Sequence, residues 1–348
     1  METLVIGDHF IAAQHYVEAL RQVCGEDFGP VRTVDWAGTK AEQHHVQQQM
    51  EWNGVDAAPL PTEVIDSVGD AEVLTMHFAA VPAAALEAGK RLRAVVVARA
   101  GLENVDLAAA TERGIAVSGV SGRNASAVAE LALGMMLSES RGIARSDAMI
   151  KSGGWREPLS PPGTEVAHGT VGMVGFGQVG RQLAQRLAGF HVRLLVADPY
   201  VEESDLRDFG GQRVDLADVF RESDYVVLQA RLTPETERFI NDTLFALMKP
   251  TAYFINVARS RLVDYDALYA VLSEGRIAGA GLDVYDAEPL AADSPWRALG
   301  NVTLTPHYGG DTQQTNRTSA RLVAEAVAEL AQTGRIAGAV NAEALGWN

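Results

Sequence analysis

The sequence predicts an α/β protein with two doubly wound parallel-sheet domains. Its 348 residues are about twice the length of a typical domain, so we expect two separate hydrophobic cores. Short apolar runs alternate with helical patterns along most of the chain, which is typical of βα units and parallel sheets. A glycine-rich turn begins near the middle of the chain, at Gly175, so a further domain is expected ahead of the one that contains it.

The elements follow in order along the chain. The first third has strand-like runs with helical patterns between them. Its strands are predicted at residues 3–7, 31–35, 72–76 and 93–98, and its helices at 10–24, 40–52 and 105–113. The rhythm resumes with strands at 170–174, 192–197, 225–229, 252–256, 279–283 and 302–305, and with helices that include 178–188, 264–274 and 312–332.

Residues 124–137 form a nearly apolar helical pattern rich in small residues, so this helix must be buried on most sides. Three environments fit the pattern equally: a crossing between domains, a contact with another subunit, or a plain core position. The same stretch is too short to span a bilayer and carries Glu130, and no secretory leader is recognised, so the sequence predicts a cytoplasmic protein without a membrane partner.

The formal net charge of −16 repels nucleic acids and anionic membranes, and no run of lysine or arginine interrupts it. Nucleic-acid binding is therefore not expected. The same charge also repels anionic substrates, so a site for one must concentrate arginine or backbone N–H groups. A single cysteine, Cys24, excludes an internal disulfide and supplies no metal cluster.

The central turn has the spacing of a dinucleotide-binding motif. Gly175 permits the tight exit from the strand, Gly177 lets the backbone approach a pyrophosphate, and Gly180 lets the helix lie close to the sheet. A second strand ends at Asp198, where a carboxylate can accept hydrogen bonds from ribose hydroxyls. Because Asp198 would repel a 2′-phosphate, NAD is predicted rather than NADP.

Three further motifs follow predicted strands, at residues 256–264, 281–290 and 305–310. The first domain contributes Gly101-Leu102-Glu103-Asn104-Val105-Asp106 and the stretch 122–130, which reads Gly-Arg-Asn-Ala-Ser-Ala-Val-Ala-Glu. Together with the glycine turn, these motifs resemble those of the D-isomer-specific 2-hydroxyacid dehydrogenases. The resemblance covers most of the chain and keeps the family's order of motifs.

The resemblance implies roles for five residues. His307 would be the proton donor and acceptor, Glu288 its partner, and Arg259 the cation that holds the substrate, while backbone N–H groups of Ala100 and Gly101 would bind the substrate carboxylate. A carboxylate beside an imidazole favours the protonated ring and fixes its orientation, and a guanidinium grips a carboxylate at more than one point. Taken singly, Arg259 could instead be a surface ion-pair residue, Glu288 a helix-start acid and His307 a core histidine.

The resemblance also implies a set of cofactor contacts near the carboxyl ends of the strands. Arg231 stands where the family has proline, which places a cation near the adenosine side and weakens the preference for NAD. The implied contacts are Gly175, Gly177, Gln178, Val179, Gly180, Asp198, Ala230, Arg231, Thr236, Val257, Ala258, Asp283, Gly309 and Gly310.

The implied fold is a Rossmann NAD-binding domain, residues 121–308, inserted in a flavodoxin-like substrate domain, residues 1–120 and 309–348. The implied activity is the NAD-dependent interconversion of a small anionic D-2-hydroxy acid and its 2-keto acid, with a homodimer as the assembly. The alternative is a non-catalytic, NAD-sensing corepressor on the same fold. Substrate identity would depend on side chains around His77, Arg99 and Trp155, although His77 itself is expected to be a polar loop residue.

Overall fold

The computed structural model describes residues 1–26, 28–58, 62–156, 158–159 and 161–347. The chain divides into two compact units. The first unit consists of Met1–Arg123 together with the segment that begins at Asp311, and the second unit is Asn124–Gly310. The second unit is thus an insertion in the sequence of the first.

The first unit is built on a parallel sheet whose strands run in the order β2-β1-β3-β4-β5. This order is that of the flavodoxin-like doubly wound fold. Strand β5 is short and contains serine and glycine, which is why its apolar signal was too weak to predict it. The strands are β1 (Thr3–Gly7), β2 (Val31–Asp35), β3 (Val73–Met76), β4 (Ala94–Val97) and β5 (Ala116–Gly119). The helices before the insertion are α1 (Ala13–Cys24), α2 (Lys40–Asn53), α3 (Thr62–Val68), α4 (Ala83–Ala88) and α5 (Leu107–Glu112).

The second unit is built on a parallel sheet in the order β12-β11-β10-β9-β6-β7-β8. Counted from β6, this order contains the 3-2-1-4-5-6 arrangement of the Rossmann fold. The strands are β6 (Thr170–Val174), β7 (Arg193–Ala197), β8 (Gly211–Arg213), β9 (Tyr225–Leu228), β10 (Tyr253–Asn256), β11 (Gly279–Leu282) and β12 (Val302–Leu304). The helices are α6 (Ala125–Arg141), α7 (Ile143–Lys151), α8 (Gln178–Leu187), α9 (Glu203–Leu206), α10 (Leu216–Glu222), α11 (Asp242–Phe245) and α12 (Tyr265–Ser273).

The last helix, α13 (Gln313–Thr333), packs against α1 in the first unit. Successive side chains of β1 alternate between the two faces of the sheet, as strand geometry requires. Val5 packs in the layer formed by α1 and α13, whereas Leu4 and Ile6 pack in the opposite layer. The apolar strands of this unit are therefore covered on both faces, and the predicted fold class of two parallel-sheet α/β domains is confirmed.

Helix α6 is a core helix of the second unit. It buries Ala129, Ala132 and Met136, and it lies against β10 and β11. The helix approaches the sheet so closely at Gly281 that a Cβ atom there would lie 2.8 Å from Cβ of Met135. Of the three environments considered for this stretch, the core position is the one observed within the second unit. No helix in the described ranges combines the length and apolar character needed to cross a bilayer.

Both sheets contain a switch point, where the strand order reverses direction. It lies between β1 and β3 in the first unit and between β6 and β9 in the second. Open α/β sheets bind ligands outside the carboxyl ends of the strands at such points. The loops that follow these strands are therefore the places to look for functional side chains.

Candidate functional site

The glycine turn between β6 and α8 meets three different steric demands. Gly175 has a φ of +94°, and a Cβ there would lie 2.8 Å from the backbone nitrogen of Ala230. A Cβ on Gly177 would have no atom within 4 Å, so the backbone is open to a ligand on that side. A Cβ on Gly180 would lie 3.2 Å from the carbonyl oxygen of Gly175, which is closer than an ordinary contact, so glycine favours the close packing of α8 there.

Asp198 directly follows β7 and contacts the same turn. Its Oδ2 accepts a hydrogen bond from the Phe176 N–H at 2.8 Å, and its Oδ1 accepts one from the Tyr200 N–H at 2.8 Å. A carboxylate has about four acceptor positions, so these bonds leave capacity for ribose hydroxyls. An open turn, the start of a helix and a carboxylate after the next strand are the features that a dinucleotide requires, so the residues present fit NAD.

The loop after β9 forms the other side of this switch point. Gln229 is held there by its backbone N–H, which donates to the Val174 carbonyl at 2.8 Å. Its side-chain amide is buried and has no hydrogen-bond partner among the described residues. The Thr236 hydroxyl donates to the Arg231 carbonyl at 2.8 Å and thereby closes the loop that contains Ala230 and Arg231. The Arg231 side chain itself is exposed.

Arg259 lies on a loop that Asn256 shapes at the end of β10. The Asn256 side chain donates to the Arg259 carbonyl at 3.2 Å and accepts from the Ala258 N–H at 3.0 Å. The Arg259 side chain is exposed, and its Nη1 donates to the Ala258 carbonyl at 2.9 Å. Among the described residues no carboxylate lies within 4.0 Å of its guanidinium, so the ion-pair alternative for Arg259 has no support.

Asp283 is buried at the end of β11 and holds the loop that carries His307. Its Oδ1 accepts from the Thr305 hydroxyl at 2.5 Å and from the Tyr308 N–H at 2.9 Å, while its Oδ2 accepts from the Gly309 N–H at 2.8 Å. Burial raises the pKa of Asp283, although these hydrogen bonds oppose the shift. Within the second unit, the hydrogen bonds of Asp283 therefore hold the loop that carries His307 in place.

His307 and Glu288 are brought together by this loop and by the one after β11. The imidazole Nδ1 lies 2.8 Å from Oε2 of Glu288, and Oε1 of Glu288 accepts from the Tyr285 N–H at 3.0 Å. The His307 side chain is 32% exposed and its φ is +57°, a left-handed backbone that few non-glycine residues adopt. This exposure is not that of a core histidine. The ring nitrogen that faces away from Glu288 is Nε2.

In the first unit, Ala100 and Gly101 lie in the loop after β4, beginning three residues beyond Val97, and are not fully buried. Asn104 stabilises the neighbouring loop, because its amide donates to the carbonyls of His77 at 3.3 Å and Ala79 at 2.9 Å. Asp106 caps α5 by accepting from the Ala109 N–H at 2.9 Å. The asparagine and the aspartate of this motif are therefore structural.

Sequence reasoning missed a group of polar residues at the switch point of the first unit. His77 lies in the loop directly after β3, but it is only 2% exposed, and its burial was not expected. It lies 3.3 Å from Asp8 and 3.1 Å from Arg123, neither of which had been given a role. The available signal was position, since Asp8 follows β1 and His77 follows β3, but it could be used only once the strand order was known.

Comparisons with known proteins agree with these observations. The family described as "D-isomer specific 2-hydroxyacid dehydrogenase, NAD binding domain" matches residues 133–309. A glyoxylate reductase of Korarchaeum cryptofilum is 35% identical over 298 residues, which are 84% of this chain and 89% of that protein. A hydroxypyruvate reductase of Thermotoga maritima is 37% identical over 258 residues, which are 73% of this chain and 83% of that protein.

A solved structure of D-2-hydroxyisocaproate dehydrogenase superposes with a TM-score of 0.81 at 22% identity, covering 98% of this chain and 99% of that one. At that identity the likeness concerns the fold alone. The family match spans the unit that contains the glycine turn, and NAD is the cofactor of that domain. The chain therefore belongs to the D-isomer-specific 2-hydroxyacid dehydrogenase family, as an NAD-dependent oxidoreductase that acts on CH–OH groups.

Proposed function

We propose that this enzyme interconverts a small D-2-hydroxy acid and its 2-keto acid, with His307 as the acid and base, Glu288 as its partner and Arg259 as the substrate-binding cation. The observation that carries the proposal is the contact of 2.8 Å between Glu288 Oε2 and His307 Nδ1, made by a partly exposed imidazole on a loop anchored by Asp283. Relatives that reduce glyoxylate and hydroxypyruvate favour a substrate of two or three carbons.

The chemistry assigned to these residues follows from their contacts. Bound NADH would supply the hydride that reduces the 2-keto acid, and bound NAD would accept a hydride in the reverse reaction. His307 holds a proton on Nδ1 that faces Glu288, so Nε2 is the nitrogen that exchanges a proton with the substrate oxygen. Glu288 keeps the ring in that orientation through this contact.

Arg259 and the backbone N–H groups of Ala100 and Gly101 are proposed to bind the substrate carboxylate. A guanidinium remains charged at every physiological pH and can donate two parallel hydrogen bonds, so it holds the carboxylate and polarises the adjacent carbonyl. The tethering of the Arg259 backbone by Asn256 supports this role, because the guanidinium then extends from a fixed point.

The cofactor contacts are proposed to be those implied by the family motifs. The open backbone at Gly177 supports a pyrophosphate there, and the Asp198 carboxylate supports recognition of ribose hydroxyls and hence NAD over NADP. Fluorescence titration should give a dissociation constant for NADH at least about tenfold below that for NADPH, since the carboxylate repels a 2′-phosphate. Equal affinities would contradict the assignment of Asp198.

The proposed catalytic role is tested by His307→Asn. We expect kcat to fall by about 10³-fold or more, because general acid–base catalysis contributes about 10² to 10⁴, while NADH still binds. His191→Asn is the matched control, since His191 is also exposed and has a φ of +53°. Turnover is followed as NADH oxidation with glyoxylate, hydroxypyruvate, pyruvate and bulkier 2-keto acids. Wild-type turnover in His307→Asn would refute the role of His307.

The same panel separates the enzyme from the NAD-sensing alternative. An enzyme oxidises NADH with at least one 2-keto acid, whereas a sensor binds NADH tightly and turns over none of them. The contact between Glu288 and His307 favours the enzyme, because such pairs are concentrated in active sites, although corepressors of this fold can keep the same residues and turnover is therefore the deciding measurement.

A homodimer is proposed as the assembly, and its interface is proposed to include α7. Helix α7 buries none of its residues within the chain, and Ile143, Ile150 and Trp155 are exposed on it and just beyond it. Clustered exposed apolar side chains are typical of protein interfaces. Light scattering should give the dimer mass for the wild type and a smaller mass for Ile150→Asp; a monomeric wild type would refute the dimer.

A further inference from the structure

The switch point of the first unit carries a polar group that the proposed chemistry does not use. Asp8 directly follows β1, His77 directly follows β3, and Arg123 lies shortly after β5, so all three are at the carboxyl ends of parallel strands. This edge is where doubly wound sheets bind ligands.

Asp8 is fully engaged by its own unit. Its Oδ1 accepts from the N–H groups of Phe10 at 2.8 Å and Ile11 at 2.7 Å. Its Oδ2 accepts from the Phe78 N–H at 3.3 Å and lies 3.3 Å from Nδ1 of His77. The carboxylate therefore serves backbone donors and the imidazole, and it is not a direct partner of Arg123.

The contact between His77 and Arg123 determines the state of the imidazole. Nη2 of Arg123 lies 3.1 Å from Nε2 of His77, and a guanidinium can only donate, so Nε2 must be the acceptor. The ring is then neutral, with its proton on Nδ1, toward Asp8. Burial lowers the pKa of His77 to about 4, which agrees with a neutral ring.

Arg123 consequently has only neutral partners. Besides His77, its Nη1 donates to the Ser319 hydroxyl at 3.2 Å, and no carboxylate oxygen of a described residue lies within 4.0 Å of its guanidinium. Burial and the nearby Arg99 lower the pKa of Arg123 to about 10. Arg99, by contrast, contacts Glu51 at 2.5 Å and Glu103 at 3.4 Å. Asp8 and Asp311 favour the Arg123 cation from a longer distance, but neither carboxylate contacts it. A largely buried guanidinium without a carboxylate in contact is stabilised when an anionic ligand binds to it directly.

Two further observations indicate a ligand. Arg123 is partly exposed, so a ligand can reach it. The Tyr16 hydroxyl is buried and has no hydrogen-bond partner among the described residues, and Asp8 and Arg123 are the charged groups that act on it. A buried hydroxyl without a partner, under the influence of the same two charges, is a polar group that calls for an explanation, and a ligand at Arg123 is one.

We propose that Arg123, held by the neutral His77 and by Ser319, is an anion-binding residue of the first unit that takes a carboxylate or a phosphate. We assign this anion as a second acidic group of the 2-keto acid substrate, and this assignment rests on the proposed function. His77 is a positioning residue, because it acts by fixing the guanidinium, and Asp8 fixes His77 in turn.

The kinetic test compares pairs of substrates that differ by one acidic group. 2-Ketoglutarate is paired with 2-ketohexanoate, and 3-phosphohydroxypyruvate with hydroxypyruvate, so the two arms distinguish a carboxylate from a phosphate. In the wild type we expect kcat/KM to be at least about tenfold higher for the doubly acidic member of one pair. In Arg123→Met, kcat/KM for the doubly acidic substrate should fall by about 10-fold to 100-fold, since hydrogen bonds to charged groups contribute about 1.5–3 kcal/mol.

Two variants serve as controls. Arg113→Met removes an arginine of the same unit that pairs with Glu87 at 2.5 Å, and it should leave all substrates unaffected. Arg123→Lys keeps the charge without the planar fork and should retain part of the preference. No preference in the wild type, or an equal loss for glyoxylate and for the doubly acidic substrates in Arg123→Met, would overturn the assignment.

A direct binding measurement keeps the proposal separate from the proposed function. If the wild type reduces no 2-keto acid, the proposed function fails. Calorimetric titration with inorganic phosphate and with succinate then shows whether Arg123 binds an anion. Binding that weakens at least about tenfold in Arg123→Met supports the anion site. Absence of binding, or equal binding by the variant, refutes it.

The positioning role of His77 has its own readout. His77→Phe removes the acceptor for Arg123, and it should raise KM for the doubly acidic substrate about tenfold with little change in kcat, as the loss of one oriented hydrogen bond predicts. His77→Gln restores an acceptor and should recover most of that affinity. A parallel fall in kcat for every substrate would indicate a merely structural role for His77.

Discussion

The two units place a βα turn at their switch points, but only one of the turns is open. In the first unit, Asp8 fills its own turn by accepting from the N–H groups of Phe10 and Ile11. In the second unit, α8 begins without a side-chain cap and Gly177 has open space on its Cα. The same topology thus yields a nucleotide site only where the chain leaves the start of the helix open to an anion.

The units also contain one carboxylate–histidine pair each, and the two differ in exposure. Glu288 and His307 are 2.8 Å apart on side chains that solvent reaches, whereas Asp8 and His77 are 3.3 Å apart and are both buried. In the buried pair, Nε2 of His77 accepts from Arg123. The contrast teaches that the residue types of a carboxylate–histidine pair do not determine its role. The role depends on whether solvent reaches the imidazole and on what its second ring nitrogen contacts.

The largest effect is expected from replacing each carboxylate of the two pairs by its amide. Glu288→Gln should lower kcat by about 10³-fold, because an orienting carboxylate beside a catalytic histidine contributes on that scale. Asp8→Asn should lower the free energy of unfolding by about 2 kcal/mol, since the amide has only one acceptor oxygen and buried N–H donors of Phe10, Ile11 or Phe78 are left poorly satisfied. Steady-state NADH oxidation and urea denaturation measure the two effects. A larger fall in kcat for Asp8→Asn would reverse the comparison.

The buried pair also predicts a pH dependence of stability. Burial lowers the pKa of His77 from 6.5 to about 4. Below pH 6.5 the unfolded chain takes up a proton that the folded chain resists, so stability falls as pH drops from 6.5 toward 4. The contribution is about 3 kcal/mol, at about 1.36 kcal/mol per pH unit.

This dependence is measured by urea denaturation of the wild type and His77→Gln at about pH 7 and about pH 4.5. The decline should be smaller in the variant, because glutamine does not titrate and the other groups are common to both proteins. Identical declines would show that His77 titrates normally in the folded chain.

Asp283→Asn tests whether the loop that carries His307 depends on the buried carboxylate. The amide keeps one acceptor oxygen, and its NH2 group takes the place of the other. At least one of the donors on Thr305, Tyr308 and Gly309 then faces this NH2 group and loses its hydrogen bond. We expect kcat to fall about 10-fold to 30-fold, equivalent to about 2 kcal/mol. A variant with wild-type kcat but weakened NADH binding would instead assign Asp283 to the cofactor alone.

The smallest effect is expected at the open turn. Gly177→Ala adds a methyl group that meets no protein atom within 4 Å, so stability should change by less than about 0.5 kcal/mol. The methyl group would occupy the space proposed for the pyrophosphate, and the dissociation constant for NADH should rise about tenfold, equivalent to about 1.4 kcal/mol. Gly180→Ala is the contrasting variant, because its methyl group would lie 3.2 Å from a backbone oxygen. Unchanged NADH affinity in Gly177→Ala would place the pyrophosphate elsewhere.

Much of the second unit could be read from the sequence because its signals are local. The glycine spacing, Asp198 after β7 and the motifs around Arg259, Glu288 and His307 each lie within a few residues of a strand end. The short strands β5 and β8 escaped prediction, since three or four residues of mixed polarity carry little periodicity. The role of Asp283 in holding the loop of His307 was also missed, because its donors come from the loop that follows the neighbouring strand.

The sequence by itself determined the α/β class and indicated the dinucleotide-binding turn, because these depend on periodicity and on short-range spacing. The residue types of the proposed acid–base pair came from the resemblance of its motifs to those of a known family. Only the tertiary structure decided that His77 is buried and neutral, that Arg123 has no carboxylate partner among the described residues, and that Asp8 closes the other turn. These properties arise where β1, β3 and the segment after β5 meet, far apart in sequence. Burial and hydrogen-bond partners depend on strand order, and no local pattern encodes them.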